Sequence, residues 1–160
     1  MNADEQMIRS LVEQVVSKVE TSMGSTPSPY SGVYDDIYTA VYAAHAAFEA
    51  FSETPLHVRV RMIAEMRRII LENTERLSKL AVEETGMGRI EDKVIKNRLA
   101  AEATPGVEDI EPSAQTDDNG LVLTERAPYG VIGAITPSTN PTESIINNAI
   151  GMVAAGNTVV

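Results

Sequence analysis

The sequence predicts an α/β fold in which a helical layer precedes the first strand–helix–strand unit of a parallel, Rossmann-like sheet. Apolar residues recur every three or four positions from Ile37 to about Ala103, which indicates successive helices. The nearly all-apolar run Val131–Thr136 is followed by a helical pattern that ends at Gly156 and then by a second apolar stretch. A strand, a helix and a strand in that order form a βαβ unit, so we expect a parallel sheet that is truncated at Val160.

Composition excludes several classes of function. The 160 residues carry 13 basic and 23 acidic side chains, a formal net charge of −10. Such a chain is repelled by nucleic acid and by anionic lipid, so neither is an expected partner. It has no cysteine, which excludes disulfides, thiolate metal sites and a cysteine nucleophile within these residues. Two histidines are too few to predict a metal site, and no apolar run approaches the ~20 residues of a membrane helix.

The first 33 residues divide into a helix and a linker. Residues 1–20 have the spacing of an amphipathic helix, and residues 21–33 are rich in Ser, Thr, Pro and Gly, as is typical of a flexible linker. The linker spans roughly 20 Å as a loose coil, so the helix is tethered and must bury its apolar stripe on a partner surface. The stripe consists of Ile8, Leu11, Val12, Val15, Val16 and Val19.

The main body begins near Tyr34 and opens with a helical layer. A first helix has Asp35 and Asp36 in its first turn. Thr54 is a good N-cap for a second helix, or two in tandem, which runs to the glycines from Gly86 onward.

A third, charged helix runs from Glu91 to about Ala103. Its residues Glu91, Asp92, Lys93 and Lys96 are interpreted as a solvated face with an Asp92–Lys96 pair.

The second half of the body changes from helices to strands. Leu121–Arg126 partly alternates and predicts a half-exposed strand, whereas Val131–Thr136 predicts a strand covered on both faces. Pro141–Ala155 predicts a helix that Gly156 closes at the C′ position. The residues expected to face inward from this helix are Ile145, Ile146, Ala149, Ile150, Val153 and Ala154.

The loop Thr136–Pro141 is the candidate functional site. It lies where a buried parallel strand ends and a helix begins, and open α/β sheets bind ligands at this edge. The helix start adds free N–H groups and positive dipole, which favour an oxyanion or a pyrophosphate. A structural alternative is that Asn140 only caps the helix, with Pro141 first and Glu143 completing a capping box. A GxGxxG fingerprint and a Walker lysine are both absent from the sequence, so the single βαβ unit is by itself only weak evidence for a nucleotide site.

Two stretches resemble a known family. Residues Gly130–Val160 (GVIGAITPSTNPTESIINNAIGMVAAGNTVV) and Glu84–Ile110 (ETGMGRIEDKVIKN…TPGVEDI) are similar to coenzyme-A-acylating aldehyde dehydrogenases. The nearest branch is the propionaldehyde or acetaldehyde enzymes of propanediol and ethanolamine utilisation in bacterial microcompartments. The resemblance covers residues 34–160, as the incomplete N-terminal part of the NAD-binding aldehyde dehydrogenase domain. Residues 1–20 resemble, more loosely, the encapsulation peptide of these enzymes.

The resemblance implies a chemistry. A cysteine thiolate attacks a short-chain aldehyde, hydride passes to NAD, and CoA takes the acyl group from the thioester. An asparagine amide of the matching loop donates to the oxyanion in the wider superfamily. Gapless counting places Thr139 at that asparagine's position and Asn140 one place later, so either is the candidate donor. The implied cofactor contacts are Ile135, Thr136, Pro137 and Ser138.

The same resemblance implies where the remaining machinery and partners lie. The family's cysteine, its glycine-rich cofactor loop and its CoA site are expected beyond Val160, so residues 1–160 alone are expected to be inactive. The full-length enzyme is expected to be a homo-oligomer in the microcompartment lumen, in the cytoplasm, with its N-terminal helix docked on a shell protein.

Three alternatives stay open at this point. In the first alternative, the chain is a non-catalytic cargo or adaptor that docks on a shell. In the second, the chain belongs to the fused aldehyde–alcohol dehydrogenases. In the third alternative, the N-terminal helix folds back on its own enzyme as an oligomer contact.

Overall fold

The computed structural model describes residues 32–160, so the predicted helix 1–20 and the linker up to residue 31 lie outside the described part. The described elements, in chain order, are α1 (Ile37–Ser52), α2 (Leu56–Thr85), α3 (Ile90–Ala103), a 3₁₀ turn (Val107–Ile110), β1 (Ser113–Asp117), β2 (Gly120–Thr124), β3 (Val131–Ile132), α4 (Pro141–Ala154) and β4 (Thr158–Val159).

The helix boundaries follow the capping signals, with two corrections. Asp36 is the N-cap of α1 rather than a first-turn residue, because its Oδ1 accepts a 2.9 Å bond from the Thr39 N–H. The hydroxyl and the N–H of Thr39 lower the pKa of Asp36. The second helix is one continuous helix of 30 residues, whose N-cap is Pro55 instead of Thr54. It ends at Gly86 in the left-handed conformation, as its sequence predicts.

The core is made where α2, α3 and α4 pack on one another. It centres on Ile150, whose side chain is fully buried, together with Ile63 from α2 and Ala101 from α3. Burial of an isoleucine of this kind contributes roughly 1.5–3 kcal/mol. Ile146, Ile150 and Ala154 form the buried stripe of α4, as predicted, but Ile145 is 56% exposed and does not belong to it. Ile145 lies one residue, or about 100° of helix rotation, away from that stripe.

The strand–helix–strand unit is confirmed as parallel. Val131 pairs with Thr158 and Ile132 with Val159, and α1 packs against this two-stranded sheet. The Thr158 hydroxyl donates to the Ala44 carbonyl of α1 at 2.8 Å. The predicted strand Val131–Thr136 is too long, because regular pairing ends at Ile132. The strand is also half-buried rather than covered on both faces. Among residues 32–160, β4 pairs with one of its edges and α1 packs against it.

A β-hairpin separates the helical layer from the βαβ unit. Strand β2 was expected, but it ends at Thr124 before Arg126, and both β1 and β2 are exposed along their whole length. Its partner β1 was not predicted, because SAQTD has no apolar alternation. Asp117 closes the turn, its Oδ1 accepting from the N–H groups of Asn119 and Gly120.

Gly156 must be a glycine. Its φ of +83° is the left-handed conformation that ends α4, and an added Cβ would lie 3.0 Å from Arg59 Nη1. That Arg59 nitrogen donates to the Ala154 carbonyl at 3.1 Å. The predicted C′ position is therefore confirmed. Among residues 32–160, no helix has the length and apolar character to cross a membrane.

The residue after Gly156 joins the end of α4 to the start of β3. Asn157 is buried, and its Oδ1 accepts from the N–H groups of Tyr129 at 2.6 Å and Gly130 at 3.0 Å. This one acceptor therefore satisfies two backbone donors where the chain enters the sheet.

We expect Asn157→Ala to lower the free energy of unfolding by about 1–3 kcal/mol, because it leaves these N–H groups without their acceptor. Asn157→Asp keeps the oxygen and is expected to cost less. Urea unfolding measures both, with Asn73→Ala as a control that changes little, because the half-buried Asn73 side chain donates to a carbonyl of its own helix. Equal losses in the alanine and aspartate variants would contradict the role of the acceptor.

Candidate functional site

The loop between β3 and α4 emerges from the carboxyl end of a parallel strand. The Ala134 N–H donates to the Val160 carbonyl at 2.7 Å, which continues the pairing of the two strands just past β3. Beyond this bond the chain turns outward, and the Ile135 side chain is 99% exposed. The candidate residues from Ile135 to Thr139 are all exposed, whereas Asn140 is half-buried. The structure therefore brings these residues together on one open loop.

Asn140 occupies the N-cap position of α4, with Pro141 in the first turn, but its side chain makes no capping hydrogen bond. Its carbonyl accepts the first helical bond, from the Ser144 N–H at 3.1 Å. The capping box is wrong, because Glu143 accepts instead from the Thr142 hydroxyl at 3.1 Å. The Asn140 side chain thus stands at the helix start without being used by the helix.

Lys93 reaches the same loop from α3. It is only 3% exposed, and its Nζ donates to the Thr139 carbonyl at 2.9 Å. The interpretation of Lys93 as part of a solvated face is wrong. A lysine is seldom this buried, and here the ammonium is paired with a backbone carbonyl oxygen.

Lys96 contacts the neighbouring side chain. Its Nζ donates to Asn140 Oδ1 at 3.2 Å, while Asn140 Nδ2 lies 3.5 Å from Thr139 Oγ1. The predicted Asp92–Lys96 pair is also wrong, because Asp92 accepts from Arg89 at 2.8 and 3.0 Å. The hydrogen bond with Asp92 raises the pKa of Arg89.

The identity of the buried residues in α3 explains why the sequence did not predict these contacts. Its buried positions are Lys93, Asn97 and Ala101, spaced four apart, while Ile95 and Leu99 are exposed. Asn97 is fully buried, and its Nδ2 donates to Ser78 on α2 at 2.9 Å. When the buried stripe of a helix is polar, the spacing of apolar residues predicts the wrong face as buried. The available signal was the i, i+4 spacing of Lys93 and Asn97 with a small residue at the next such position.

A surface cavity of about 330 Å³ lies between α3 and the loop. Its lining combines three cationic side chains with Asp92, and it includes Thr139 of the candidate loop. A larger cavity of about 650 Å³ lies near the C-terminal half of α4 and contains none of the predicted site residues. Among residues 32–160 no cluster of histidines and carboxylates is suited to a metal ion.

The loop offers hydrogen-bond donors at a helix start. The Asn140 amide, the Thr139 hydroxyl and the first N–H groups of α4 lie at the positive end of that helix's dipole. Donors fixed in this way stabilise an oxygen that gains negative charge during a reaction. Residues Ile135 to Ser138, beside these donors, are exposed.

Comparison with known proteins gives the family. A model described as the aldehyde dehydrogenase family matches residues 14–160. A CoA-propanoylating propanal dehydrogenase of Salmonella typhimurium is 43% identical over 99% of this chain, which corresponds to 34% of that protein.

Two solved structures are also similar. A propionaldehyde dehydrogenase from the fucose utilisation microcompartment of Clostridium phytofermentans is 49% identical, with a TM-score of 0.76 over 80% of this chain and 29% of that one. An engineered glycolyl-CoA reductase with bound NADP+ is 50% identical, with a TM-score of 0.78 over 83% of this chain and 31% of that one. The chain belongs to the aldehyde dehydrogenase family, and it spans about a third of the length of the curated relative it matches.

We expect Asn140→Ala to change the free energy of unfolding by less than about 0.5 kcal/mol, because the side chain makes no capping bond. Asp36→Ala serves as the matched capping variant, since Asp36 does accept the Thr39 N–H, and it should lower the unfolding midpoint clearly more. Thermal and urea unfolding measure both. If Asn140→Ala costs as much as Asp36→Ala, the capping interpretation of Asn140 is correct after all.

Proposed function

We propose that this chain forms the N-terminal part of a CoA-acylating aldehyde dehydrogenase, which converts a short-chain aldehyde, CoA and NAD to acyl-CoA and NADH. The observation that carries the proposal is the 43% identity over 99% of the chain to a CoA-propanoylating propanal dehydrogenase. The similar proteins described above are all named as enzymes, which supports this hypothesis over that of a non-catalytic adaptor. The substrate is propionaldehyde or acetaldehyde, because relatives named for either aldehyde are similarly identical to this chain, at 43% and 44%.

In this reaction, the residues of this chain bind NAD and stabilise the negative charge that develops on the substrate oxygen. A cysteine thiolate is the nucleophile in the reaction that the family resemblance implies, and this chain has no cysteine, so the nucleophile must come from other residues of the enzyme. When the thiolate adds to the aldehyde, the carbonyl oxygen becomes negatively charged. The Asn140 amide is our first candidate to donate to that oxygen, and the Thr139 hydroxyl is the second.

NAD, when bound, accepts the hydride from the aldehyde carbon. The exposed loop from Ile135 to Ser138 fits a nicotinamide ring, because its open backbone lies at the carboxyl end of a parallel strand. These residues would hold the ring next to Asn140, so that the amide faces the oxygen and the ring faces the carbon of the same reacting group. The loop would thus position both partners of the oxidation.

The localisation follows from the same resemblance. We propose that the enzyme lies in the lumen of a bacterial microcompartment, in the cytoplasm, and that residues 1–20 dock on a shell protein. What supports this is the apolar stripe from Ile8 to Val19 and the origin of one similar structure in a microcompartment. A homo-oligomeric full-length enzyme is part of the proposal.

The full-length protein should form NADH only when both a short-chain aldehyde and CoA are present. Asn140→Ala should lower kcat by ~10²-fold or more while the fold is kept, because one oxyanion donor is lost. Steady-state NADH absorbance measures this, and residues 1–160 alone serve as a blank that makes no NADH.

Thr139→Val is the matched variant that decides between the two donors. A loss of kcat in Thr139→Val but not in Asn140→Ala would transfer the donor's role to Thr139. CoA-dependent turnover by residues 1–160 alone would contradict the proposed active site altogether.

Residues 1–20 fused to a fluorescent protein should give punctate fluorescence in cells that assemble shells. Apolar side chains buried on docking contribute roughly 1.5–3 kcal/mol each before the cost of ordering, enough for a micromolar-range contact. Leu11→Asp with Val15→Asp breaks the stripe and should make the fluorescence diffuse. Diffuse fluorescence from the intact peptide, or puncta that survive the double substitution, would contradict shell docking.

A further inference from the structure

Two lysines on one face of α3 contact Thr139 and Asn140, the two candidate oxyanion donors of the loop. Lys93 and Lys96 are three positions apart, so their side chains leave the helix on the same side. Lys93 donates to the Thr139 carbonyl, and Lys96 donates to the Asn140 side-chain oxygen. Both contacts join residues more than forty positions apart in the sequence, so they arise from the packing of α3 beside α4.

The contact with Lys96 fixes which end of the Asn140 amide points outward. An ammonium group has only donors, so it attracts the amide oxygen and repels the NH₂ end. Asn140 therefore turns Oδ1 toward Lys96, and its Nδ2 faces away. The hydrogen bond from Nδ2 to Thr139 Oγ1 is at the distance limit of 3.5 Å and engages only one of the two Nδ2 hydrogens, so the other remains available to a ligand.

Lys93 fixes the backbone on which this amide stands. In a trans peptide the carbonyl of Thr139 and the N–H of Asn140 point in opposite directions. A buried ammonium on that carbonyl therefore sets the plane of the peptide and the direction in which the Asn140 side chain departs. A buried, paired group holds such a geometry better than an exposed one.

Lys96 does not pair with Asp92, the acidic residue four positions earlier on the same helix. Asp92, four residues earlier, is the usual ion-pair position for Lys96, but its two oxygens accept from Arg89. The arrangement therefore directs the Lys96 ammonium to the loop.

We propose that Lys96 is a positioning residue, which orients the Asn140 amide so that its N–H groups face the substrate oxygen, on a backbone that Lys93 holds. The inference rests on the proposed function of Asn140 as the oxyanion donor. Lys96 does not touch the substrate and acts only through Asn140.

Three substitutions of Lys96 in the full-length enzyme test this. Lys96→Arg keeps a cationic donor and should keep kcat near that of the unsubstituted enzyme. Lys96→Met removes the donor, leaves the amide free to rotate, and should lower kcat about tenfold. Lys96→Glu attracts the NH₂ end and turns the oxygen toward the substrate, so kcat should fall toward the ~10²-fold loss of Asn140→Ala. The KM for NAD and the melting temperature should stay unchanged in all three, because Lys96 is exposed.

A double substitution shows whether Lys96 acts through Asn140. In the Asn140→Ala background, Lys96→Met should lower kcat no further, because the amide that it orients is gone. Lys79→Met is the matched control, since Lys79 is an exposed lysine paired with Glu83 on α2.

Two results would overturn the inference: unchanged kcat in both Lys96→Met and Lys96→Glu, or an equal further loss in the Asn140→Ala background. The two proposals fail differently. An unsubstituted enzyme that makes no CoA-dependent NADH contradicts the proposed function and, with it, this inference. An active enzyme that loses kcat in Asn140→Ala but is indifferent to Lys96 contradicts this inference alone.

Discussion

Helix α4 must bury one narrow stripe while its N-terminus stays partly exposed, and the placement of the candidate loop depends on this constraint. Ile146, Ile150 and Ala154 lie against α2 and α3, which fixes the rotation of the helix about its axis. Gly156 then ends the helix in a conformation that returns the chain to the sheet beside β3. With both its rotation and its end fixed, the helix can only begin at the carboxyl edge of the parallel strands. The donors at its N-terminus are placed there by core packing some distance away.

The same packing brings a polar stripe of α3 against α2 and α4, and this stripe connects the core with the candidate site. Asn97 bonds to Ser78 in the buried layer, and Lys93, one turn earlier, reaches the loop. At the other end of α3, Arg67 of α2 donates to the Thr104 carbonyl at 2.6 Å and to carbonyls of the last turn. Side chains from its neighbours thus hold α3 at its C-terminus, and its own lysines hold the loop at its N-terminus. The buried contact from Asn97 Nδ2 to Ser78 favours one arrangement of the helices over others, although Asn97 Oδ1 has no hydrogen-bond partner among residues 32–160.

The order of the helices and strands could be predicted from the sequence better than the residues that each of them buries. The α/β order, the parallel βαβ unit and the Gly156 stop were predictable because periodicity and glycine chemistry are local. Strand β1 was missed because SAQTD carries no alternation, and its pairing with β2 is set by the turn at Asp117. Lys93 was wrongly placed in solvent because charged residues usually are exposed, and the exposed Lys96 was given the wrong partner. Both contacts with the loop depend on helices that meet only in the fold. The loop itself was found from its place in the topology, but the absence of a capping bond at Asn140 depends on atomic positions.

The central claim is that the Asn140 amide is an oriented donor to the reacting oxygen of an aldehyde. The most direct measurement is a crystal structure of the full-length enzyme with NAD and a bound aldehyde adduct. The account predicts that Asn140 Nδ2 lies about 2.7–3.1 Å from the adduct's oxygen, with Oδ1 turned to Lys96. An adduct whose oxygen is held by Thr139 or by other groups, with the Asn140 amide turned away from it, would contradict the account.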